Sequence, residues 1–231
     1  MALDFQDRHV VITGGSGGLG GAVVDAFASA GAICHLPQRG RDSSGAGRER
    51  VQVIAGVDLT SEAAVASLYA ELPPLWASIH LAGGFTPSAI VETSLQTLRS
   101  QLDINLTTAF LCCREAIRNM RKGSAGKGGR IVNVSSRVAL VPSGGAIAYA
   151  ASKAAVVALT QSLAEEVKAE LIWVNAIAPS IIDTPANRAA MSKANYERWT
   201  KPAQIASAIL WLASTENQLT TGAVLPVYGG S

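Results

Sequence analysis

The sequence has little charge, few aromatic residues and few cysteines. Of its 231 residues, 16% are charged and 5% are aromatic, and the formal net charge is +2 at pH 7. So mild a balance, without a long basic run, argues against binding to nucleic acid or to an anionic membrane surface. The three cysteines, Cys34, Cys112 and Cys113, lie in apolar segments, which predicts buried, reduced thiols. We therefore expect small molecules or further copies of the chain as partners.

Segments that would direct the chain to a membrane or bind a metal are also missing. The first residues are acidic where a signal peptide would be basic, and no apolar run approaches the roughly 20 residues needed to span a bilayer. His9, His35 and His80 are scattered and lack a metal-ligand spacing. The expectation is a cytoplasmic protein without a metal site.

What the sequence does contain is an alternation of short β-branched runs with longer helical patterns. Hydrophobic residues make up 48% of the chain, enough for one core, so residues 1–231 are expected to form a single domain. Strands are predicted at 9–13, 32–36, 51–56, 78–82, 130–135, 172–178 and 223–227. Helices are predicted at about 18–30, 61–71, 94–121, 148–170 and 202–213. Such strands suit burial on both faces, which predicts a doubly wound α/β fold around a mostly parallel, seven-stranded sheet.

A glycine-rich stretch, TGGSGGLGG, follows the first predicted strand and opens the first predicted helix. It satisfies G-x-G-x-x-G at Gly15, Gly17 and Gly20, and also T-G-x-x-x-G-x-G at Thr13, Gly14, Gly18 and Gly20. Spacing alone leaves both registers open. In either one, missing side chains let backbone N–H groups and a helix N-terminus approach a pyrophosphate. The stretch indicates nucleotide binding, and the alternative is a flexible glycine turn.

Tyr149 and Lys153 stand among small residues in AIAYAASKAA, four positions apart and so on one helical face. A phenol with an ordinary pKa near 10 needs a neighbouring cation to form its anion at lower pH, and Lys153 is placed to supply one. The alternative is a packed tyrosine beside a lysine whose stem covers apolar surface. Ser135 and Ser136 end a predicted strand, where open α/β sheets place ligands. Asn105, a poor helix former inside a helical pattern, indicates either a local role or an exposed helix position.

In this order the motifs resemble those of the short-chain dehydrogenase/reductase family, over residues 13–230. TGGSGGLG resembles the family's T-G-x-x-x-G-x-G, DINL its helix asparagine, VNVSS its serine strand, YAASK its Y-x-x-x-K, and APSIIDT its P-G-x-x-x-T. The resemblance implies a Rossmann fold and an NAD(P)-dependent oxidoreductase that interconverts a carbonyl and a secondary alcohol by hydride transfer. An alternative is a regulatory protein that senses NAD(P) without turnover, against which the intact Ser136, Tyr149 and Lys153 argue.

The same resemblance implies the roles of individual residues. Tyr149 is the general acid/base, and Lys153 lowers its pKa and holds the nicotinamide ribose. Ser136, favoured over Ser135 by the family's spacing to the tyrosine, orients the substrate oxygen, and Asn105 supports a proton-relay water. The implied cofactor-binding residues are Thr13, Gly14, Ser16, Gly18, Leu19, Gly20, Gln38, Arg39, Asp58, Leu59, Ala82, Gly83, Tyr149, Lys153, Pro179, Ile182 and Thr184, the last holding the carboxamide. A homodimer or homotetramer is expected through the helices at about 94–121 and 148–165.

Gln38 stands where an NAD-preferring site usually carries Asp or Glu, and Arg39 and Arg41 follow it. A carboxylate there accepts the ribose hydroxyls and repels a 2′-phosphate, whereas a guanidinium suits a phosphate dianion. NADP(H) is therefore predicted to be favoured over NAD(H). The alternative is that Arg39 stacks on adenine and that both cofactors are used.

Several features depart from the family pattern. His80 and Leu81 replace two asparagines, which removes the amides that would hydrogen-bond in that loop. The stretch 39–50 is a poor helix sequence, which predicts a loop or one turn in place of the family's second helix. Ser180 occupies a glycine position, and the segment 185–199 is short for a substrate lid. These features indicate an exposed cleft or a modest substrate.

Overall fold

Strands and helices alternate along the chain as the hydrophobic pattern predicts. The computed structural model describes residues 3–40, 48–123 and 128–230. Within these ranges the strands are β1 (His9–Thr13), β2 (Ile33–Gln38), β3 (Val51–Ala55), β4 (Ala77–His80), β5 (Gly129–Val134), β6 (Ile172–Pro179) and β7 (Val224–Val227). They form one 7-stranded sheet in the order β3-β2-β1-β4-β5-β6-β7, and every neighbouring pair is parallel. The predicted fold class is confirmed.

Several of the helices begin where the sequence offers a capping side chain or a proline. They are α1 (Gly20–Ser29), α2 (Glu62–Glu71), α3 (Leu95–Leu102), α4 (Thr108–Met120), α5 (Ile147–Val167), α6 (Pro185–Ala190) and α7 (Pro202–Ala213). The Ser61 hydroxyl accepts from the Ala64 N–H at 3.4 Å at the start of α2, and Ser94 caps α3 in the same way. Pro202 occupies the first turn of α7, where no N–H is needed.

The helix predicted at 94–121 is instead two helices joined by a π-helical turn. This turn spans Asp103–Thr107, between α3 and α4. A π turn inserts an extra residue into the helical repeat and occurs often at functional sites. It leaves Asn105 almost completely buried, so the alternative of an exposed helix asparagine is wrong.

Alternate residues of the strands pack into two hydrophobic cores on opposite faces of the sheet. Val10 and Ile12 belong to the core that includes residues of α1 and α7, while Val11 belongs to the core formed with α2 and α4. This alternation is the side-chain geometry of a strand. It explains why the strand sequences are apolar throughout. All three cysteines are buried and free, as expected.

One helix corrects the expectation that no segment could span a bilayer. By length and composition alone, the segment Ile147–Glu170 is long and apolar enough to do so. Core helices of globular proteins pass the same test, so this is a weak indication. Here α5 packs against β6 and α3 in the helical layer on the sheet.

Residues 41–47, which include Arg41 and most of the predicted loop at 39–50, lie outside the described residues. The described ends of this connection, at 39–40 and 48–50, contain no helix. Whether a turn replaces the family's second helix therefore stays a prediction.

Candidate functional site

A cleft lies at the carboxyl ends of the strands, where β1 is flanked by β2 on one side and by β4 on the other. This is the reversal point at which doubly wound sheets bind ligands. The cleft has a volume of ≈ 410 Å³. Of the predicted cofactor-binding residues it is lined by Gly14, Ser16, Gln38, Arg39, Leu59, Ala82 and Gly83, and its lining among the described residues does not extend to Tyr149, Lys153, Pro179, Ile182 or Thr184.

The structure resolves the register of the glycine loop. Gly14 has a φ of +68°, and a Cβ there would lie 2.8 Å from the backbone nitrogen of Ala82. A Cβ on Gly18 would lie 2.8 Å from Thr184 Cγ2. Neither Gly15 nor Gly17 has a positive φ. A Cβ at either position would come no closer than 3.1 Å to another atom. The positions that exclude a side chain are thus those of T-G-x-x-x-G-x-G.

The rest of this loop is fixed by β4 and by the start of α1. The Thr13 hydroxyl accepts from the Ala82 N–H at 3.2 Å, which joins the end of β1 to the segment after β4. Gly20 begins α1 and its N–H donates to the Gly17 carbonyl. Leu19 packs into the core beside α1. The helix N-terminus is therefore held at the cleft.

Two adjacent serines at the end of β5 face in different directions. The Ser135 hydroxyl is buried and donates to the Lys153 carbonyl at 2.8 Å, within α5. The Ser136 side chain instead lies close enough to the phenol of Tyr149 to lower its pKa. Burial raises the pKa of Tyr149, and the nearby Ser136 opposes part of that rise. The structure thus brings the second serine, and not the first, to the tyrosine.

Lys153 shares the helix face of Tyr149 but is engaged elsewhere. Its Nζ donates to the Val134 carbonyl at 2.9 Å and lies 5.9 Å from the centroid of the Tyr149 ring. Burial lowers the pKa of Lys153 to about 8. The net shift of the Tyr149 pKa is upward, with burial as its largest cause, and the lowering by Lys153 stays a prediction.

Asn105 joins the loop after β4 to the helix that carries Tyr149. Its Oδ1 accepts from the Gly84 N–H at 3.0 Å, and its Nδ2 donates to the Gly84 carbonyl at 3.0 Å. The same Nδ2 donates to Ser152 Oγ at 3.1 Å, and Ser152 Oγ donates to the Tyr149 carbonyl. A Cβ on Gly83 would lie 2.6 Å from Asn105 Oδ1 and 3.2 Å from Lys153 Nζ, so only glycine fits there.

Phe85 is a site residue that the sequence analysis missed. Its ring centroid lies 4.9 Å from that of Tyr149, with the ring planes at 89°, yet the residue is 60% exposed. The two residues are 64 positions apart in the sequence, and no motif connects them. Only its place shortly after Ala82 and Gly83 could have drawn attention to it.

His80, which replaces a family asparagine, lies in a chain of buried hydrogen bonds. His80 Nδ1 is 2.8 Å from Asn133 Oδ1, and Nε2 is 2.8 Å from Ser78 Oγ. Ser78 Oγ is 2.8 Å from the Tyr69 hydroxyl, and Asn133 Nδ2 donates to Thr160 Oγ1 at 3.0 Å. The imidazole therefore bonds through both nitrogens, with side chains of β4 and β5, and the effect of the replacement on the loop stays a prediction.

The residues predicted to set cofactor preference lie at the outer end of the cleft. Gln38 ends β2 and is buried, and its carbonyl accepts from the Val57 N–H. Arg39 Nη2 lies 3.4 Å from Asp58 Oδ1, with the two side chains 70% and 49% exposed. Hydrogen bonds from Thr60 lower the Asp58 pKa, and Arg39 adds to that effect.

The segment after β6 is fastened at its base. The Thr184 hydroxyl accepts from the Asn187 N–H and so caps α6, and the Ile182 carbonyl accepts from Asn187 Nδ2. Asp183 pairs with Arg188 at 2.5 Å and with Lys201 at 2.5 Å. These two cations, Arg188 first, hold the pKa of Asp183 well below its usual range.

Pro179 is the buried last residue of β6. Of the predicted residues of this segment, Thr184 lies beside Gly18, and none of the three lines the cleft.

These features define the class of protein. A glycine-lined cleft at the reversal point of a parallel sheet, next to the N-terminus of α1, is the site of a dinucleotide-binding α/β protein. The cleft fits such a cofactor, because Gly14, Gly17 and Gly83 line it with backbone that carries no side chain. Lys153 Nζ lies beside Gly83, which lines this cleft.

Comparison of the sequence with models of protein families identifies the family within this class. The family model for short chain dehydrogenases matches residues 8–195. The chain belongs to this family.

Relatives and solved structures agree with this assignment. The chain is 35% identical over 248 residues to cis-4-hydroxycyclohexanecarboxylate dehydrogenase of Sinomonas cyclohexanicum, covering 100% of this chain and 98% of that protein. It is 32% identical over 245 residues to a 3-oxoacyl-[acyl-carrier-protein] reductase of Chlamydia muridarum, covering 97% of each. A short-chain type dehydrogenase/reductase from Mycobacterium ulcerans has a similar structure, with a TM-score of 0.90, 28% identity, and coverage of 99% and 90%. The chain is accordingly an NAD(P)-dependent oxidoreductase that acts on alcohol and carbonyl groups.

Proposed function

We propose that Tyr149 is the general acid/base and that Ser136 orients the substrate oxygen. The observation that carries this proposal is the position of Ser136, just after β5 and close enough to the Tyr149 phenol to lower its pKa. A substrate oxygen placed between them accepts a proton from Tyr149 during reduction or gives one up during alcohol oxidation.

Lys153 and Asn105 complete the proposed machinery. Lys153 uses one donor on the Val134 carbonyl, and an ammonium has three, so it can also hold a ribose hydroxyl and place positive charge near the phenolate. Asn105 fixes Gly84 and, through Ser152, the backbone of Tyr149. We propose that this frame also supports the water that relays the proton.

The cofactor is held by the glycine loop, by the segment after β4 and by the residues after β6. When bound, the nicotinamide gives or takes the hydride. Backbone N–H groups of the loop between Thr13 and Gly20 meet the pyrophosphate. The rest of the cofactor is proposed to contact the residues named from the sequence. Thr184 would hold the carboxamide, Leu59 and Asp58 would lie at the adenine, and Pro179, Ile182 and Ala82 would contact the part of the cofactor between these two ends.

NADP(H) is the proposed preference. Gln38 offers no carboxylate to repel a 2′-phosphate, and Arg39 lies at the outer end of the cleft with most of its side chain exposed. The contact between Arg39 and Asp58 is long, at 3.4 Å, and exposed ion pairs are weak. A phosphate dianion can therefore recruit the guanidinium at small cost.

Self-association is proposed through the outer face of α4 and α5. A second cleft of ≈ 370 Å³ lies there, lined by Phe110, Cys113, Arg114, Ile117, Arg118, Arg121, Leu159, Ser162, Leu163 and Glu166. Phe110 is 46% exposed, and a second copy of the chain would cover it in a two-fold dimer or a tetramer. We further propose a single domain and a cytoplasmic location. Light scattering at micromolar concentration tests the association, and a pure monomer would contradict it.

The catalytic proposal is tested by NAD(P)H consumption against ketones, aldehydes and 3-oxoacyl thioesters, and by NAD(P)⁺ reduction with secondary alcohols. Turnover that requires Tyr149 is expected. Cofactor binding without turnover of any substrate in either direction would favour a sensing protein instead.

A further inference from the structure

Phe85 combines exposure with a fixed position, which is unusual for a large apolar side chain. Exposed hydrophobic residues are ordinary on protein surfaces and need no explanation when they stand alone. Phe85, however, packs against Tyr149, the residue proposed to exchange a proton with the substrate. Its 60% exposure therefore leaves an apolar ring surface open directly beside the reactive phenol.

The chain on either side of Phe85 is anchored. Gly84, immediately before it, is bonded through both its N–H and its carbonyl to the Asn105 amide. On the other side, the Ser88 N–H donates to the Gly145 carbonyl at 2.9 Å, and Ser88 forms a bridge with Ala146. Only Phe85, Thr86 and Pro87 lie between these anchors.

The middle of this short arc is also held. Gln101 Nε2 donates to Thr86 Oγ1 at 3.3 Å, and proline restricts the backbone at position 87. The arc carries no charged side chain. The backbone around Phe85 is therefore held in place, and the exposed part of its ring is available to a ligand that approaches Tyr149.

We propose that Phe85 is the specificity-determining wall of the substrate site, and that it selects ketones and secondary alcohols whose reacting carbon lies in or beside an apolar ring. This inference rests on the proposed function, because it places the substrate against Tyr149. Aromatic side chains favour edge-to-face and offset stacking contacts with other rings. A rigid ring also loses fewer rotatable bonds on binding than a flexible acyl chain.

The test compares ring-bearing with small open-chain substrates. For the parent and for Phe85→Ala, kcat/KM is measured with acetophenone, cyclohexanone and 2-butanone at saturating NADPH. Phe85→Ala is expected to lower kcat/KM for the two cyclic ketones by about tenfold. For 2-butanone the value should stay within about twofold, because this ketone is too small to use the wall. Using ratios between parent and variant removes the difference in intrinsic reactivity of the ketones.

Two further variants give the measurement its controls. Phe85→Leu keeps apolar volume without an aromatic ring and should lie between the parent and Phe85→Ala for the cyclic ketones. Leu219→Ala removes a side chain that is 89% exposed and lies far along the chain from the proposed machinery, and it should change none of the values. Thermal unfolding of all three variants should match that of the parent.

The outcomes separate the inference from the proposed function. If Phe85→Ala lowered kcat/KM equally for cyclic and open-chain ketones, Phe85 would act through Tyr149 and the inference would be overturned. Unchanged kcat/KM values for all three ketones would overturn it as well. A parent that prefers linear 3-oxoacyl thioesters, with Phe85→Ala leaving that preference unchanged, would overturn it as well. A parent that turns over no carbonyl or alcohol would instead overturn the proposed function.

Discussion

Two groups of polar side chains connect the middle of the sheet to α5, and they differ in how completely their hydrogen bonds are used. The first, the buried polar chain, consists of Tyr69, Ser78, His80, Asn133 and Thr160. Asn133 Oδ1 accepts from His80 Nδ1, so Nε2 of the neutral ring accepts from Ser78, which in turn accepts from Tyr69. The Thr160 hydroxyl in turn donates to the Val156 carbonyl within α5.

The second group, the reactive cluster, consists of Ser136, Tyr149 and Lys153 at the carboxyl ends of the same strands. Its groups keep capacity for further bonds. Lys153 is seen to use one donor, and the hydroxyls of Ser136 and Tyr149 lie near each other beside the exposed ring of Phe85. In the buried chain, matched donors and acceptors stabilise the fold. In the reactive cluster, the remaining donors are available for a substrate oxygen.

The largest expected effect breaks the reactive cluster. Tyr149→Phe removes only the phenolic hydroxyl, so kcat should fall by about 10² to 10⁴-fold, the usual contribution of a general acid. Cofactor affinity, measured by fluorescence titration, should stay within about twofold of the parent because the ring and Lys153 remain. A variant that kept most of its turnover would show that another group supplies the proton.

The adjacent serines offer a matched pair of the same size and chemistry. Ser136→Ala should lower kcat/KM by about 10²-fold, since it removes a donor to the substrate oxygen. Ser135→Ala should mainly lower the free energy of unfolding, by about 1 kcal/mol, because it removes a buried bond to the α5 backbone.

Steady-state kinetics and urea unfolding of both serine variants check this contrast. If Ser135→Ala were the more damaging variant for turnover, with its unfolding unchanged, the assignment of the two serines would have to be exchanged.

The buried polar chain should respond to pH through stability. Burial lowers the pKa of His80 to about 4, from an ordinary value of 6.5. A lowered histidine pKa stabilises the fold fully above pH 6.5, and this contribution is lost as the pH falls toward 4. At pH 5 the loss amounts to about 2 kcal/mol.

His80→Asn removes the titrating group and is the variant to compare. Its free energy of unfolding should fall less than that of the parent between pH 7 and pH 5. His35, whose pKa burial also lowers to about 4, contributes equally to both proteins and cancels. Equal losses in parent and variant would mean that His80 does not titrate in this range.

The smallest expected effect lies outside both groups, at the outer end of the cleft. Gln38→Asp places a carboxylate beside Arg39 and should shift the ratio of kcat/KM values toward NAD(H) by about tenfold, given the strength of charge-assisted bonds. Steady-state kinetics with both cofactors measure it. Gln38→Asn, which changes length without charge, is the control. A parent that clearly prefers NADH would contradict the proposed preference directly.

The sequence by itself determined the features that repeat over short distances. Apolar runs and helical patterns specified the strands, most helices and the doubly wound class, since side-chain periodicity follows directly from backbone geometry. The spacing of Tyr149 and Lys153 placed them on one helix face for the same reason. Motif order, read as a family resemblance, supplied the family and the candidate site.

Only the tertiary structure decided what depends on contacts between distant segments. The register of the glycine loop required the approach of Ala82 and Thr184 to Gly14 and Gly18. The hydrogen-bond partners of His80 lie on β4, β5 and α4. Phe85, which follows β4, contacts Tyr149 at the start of α5. Such contacts are set by the order of strands in the sheet and by the packing of helices upon it, and a local sequence pattern records neither.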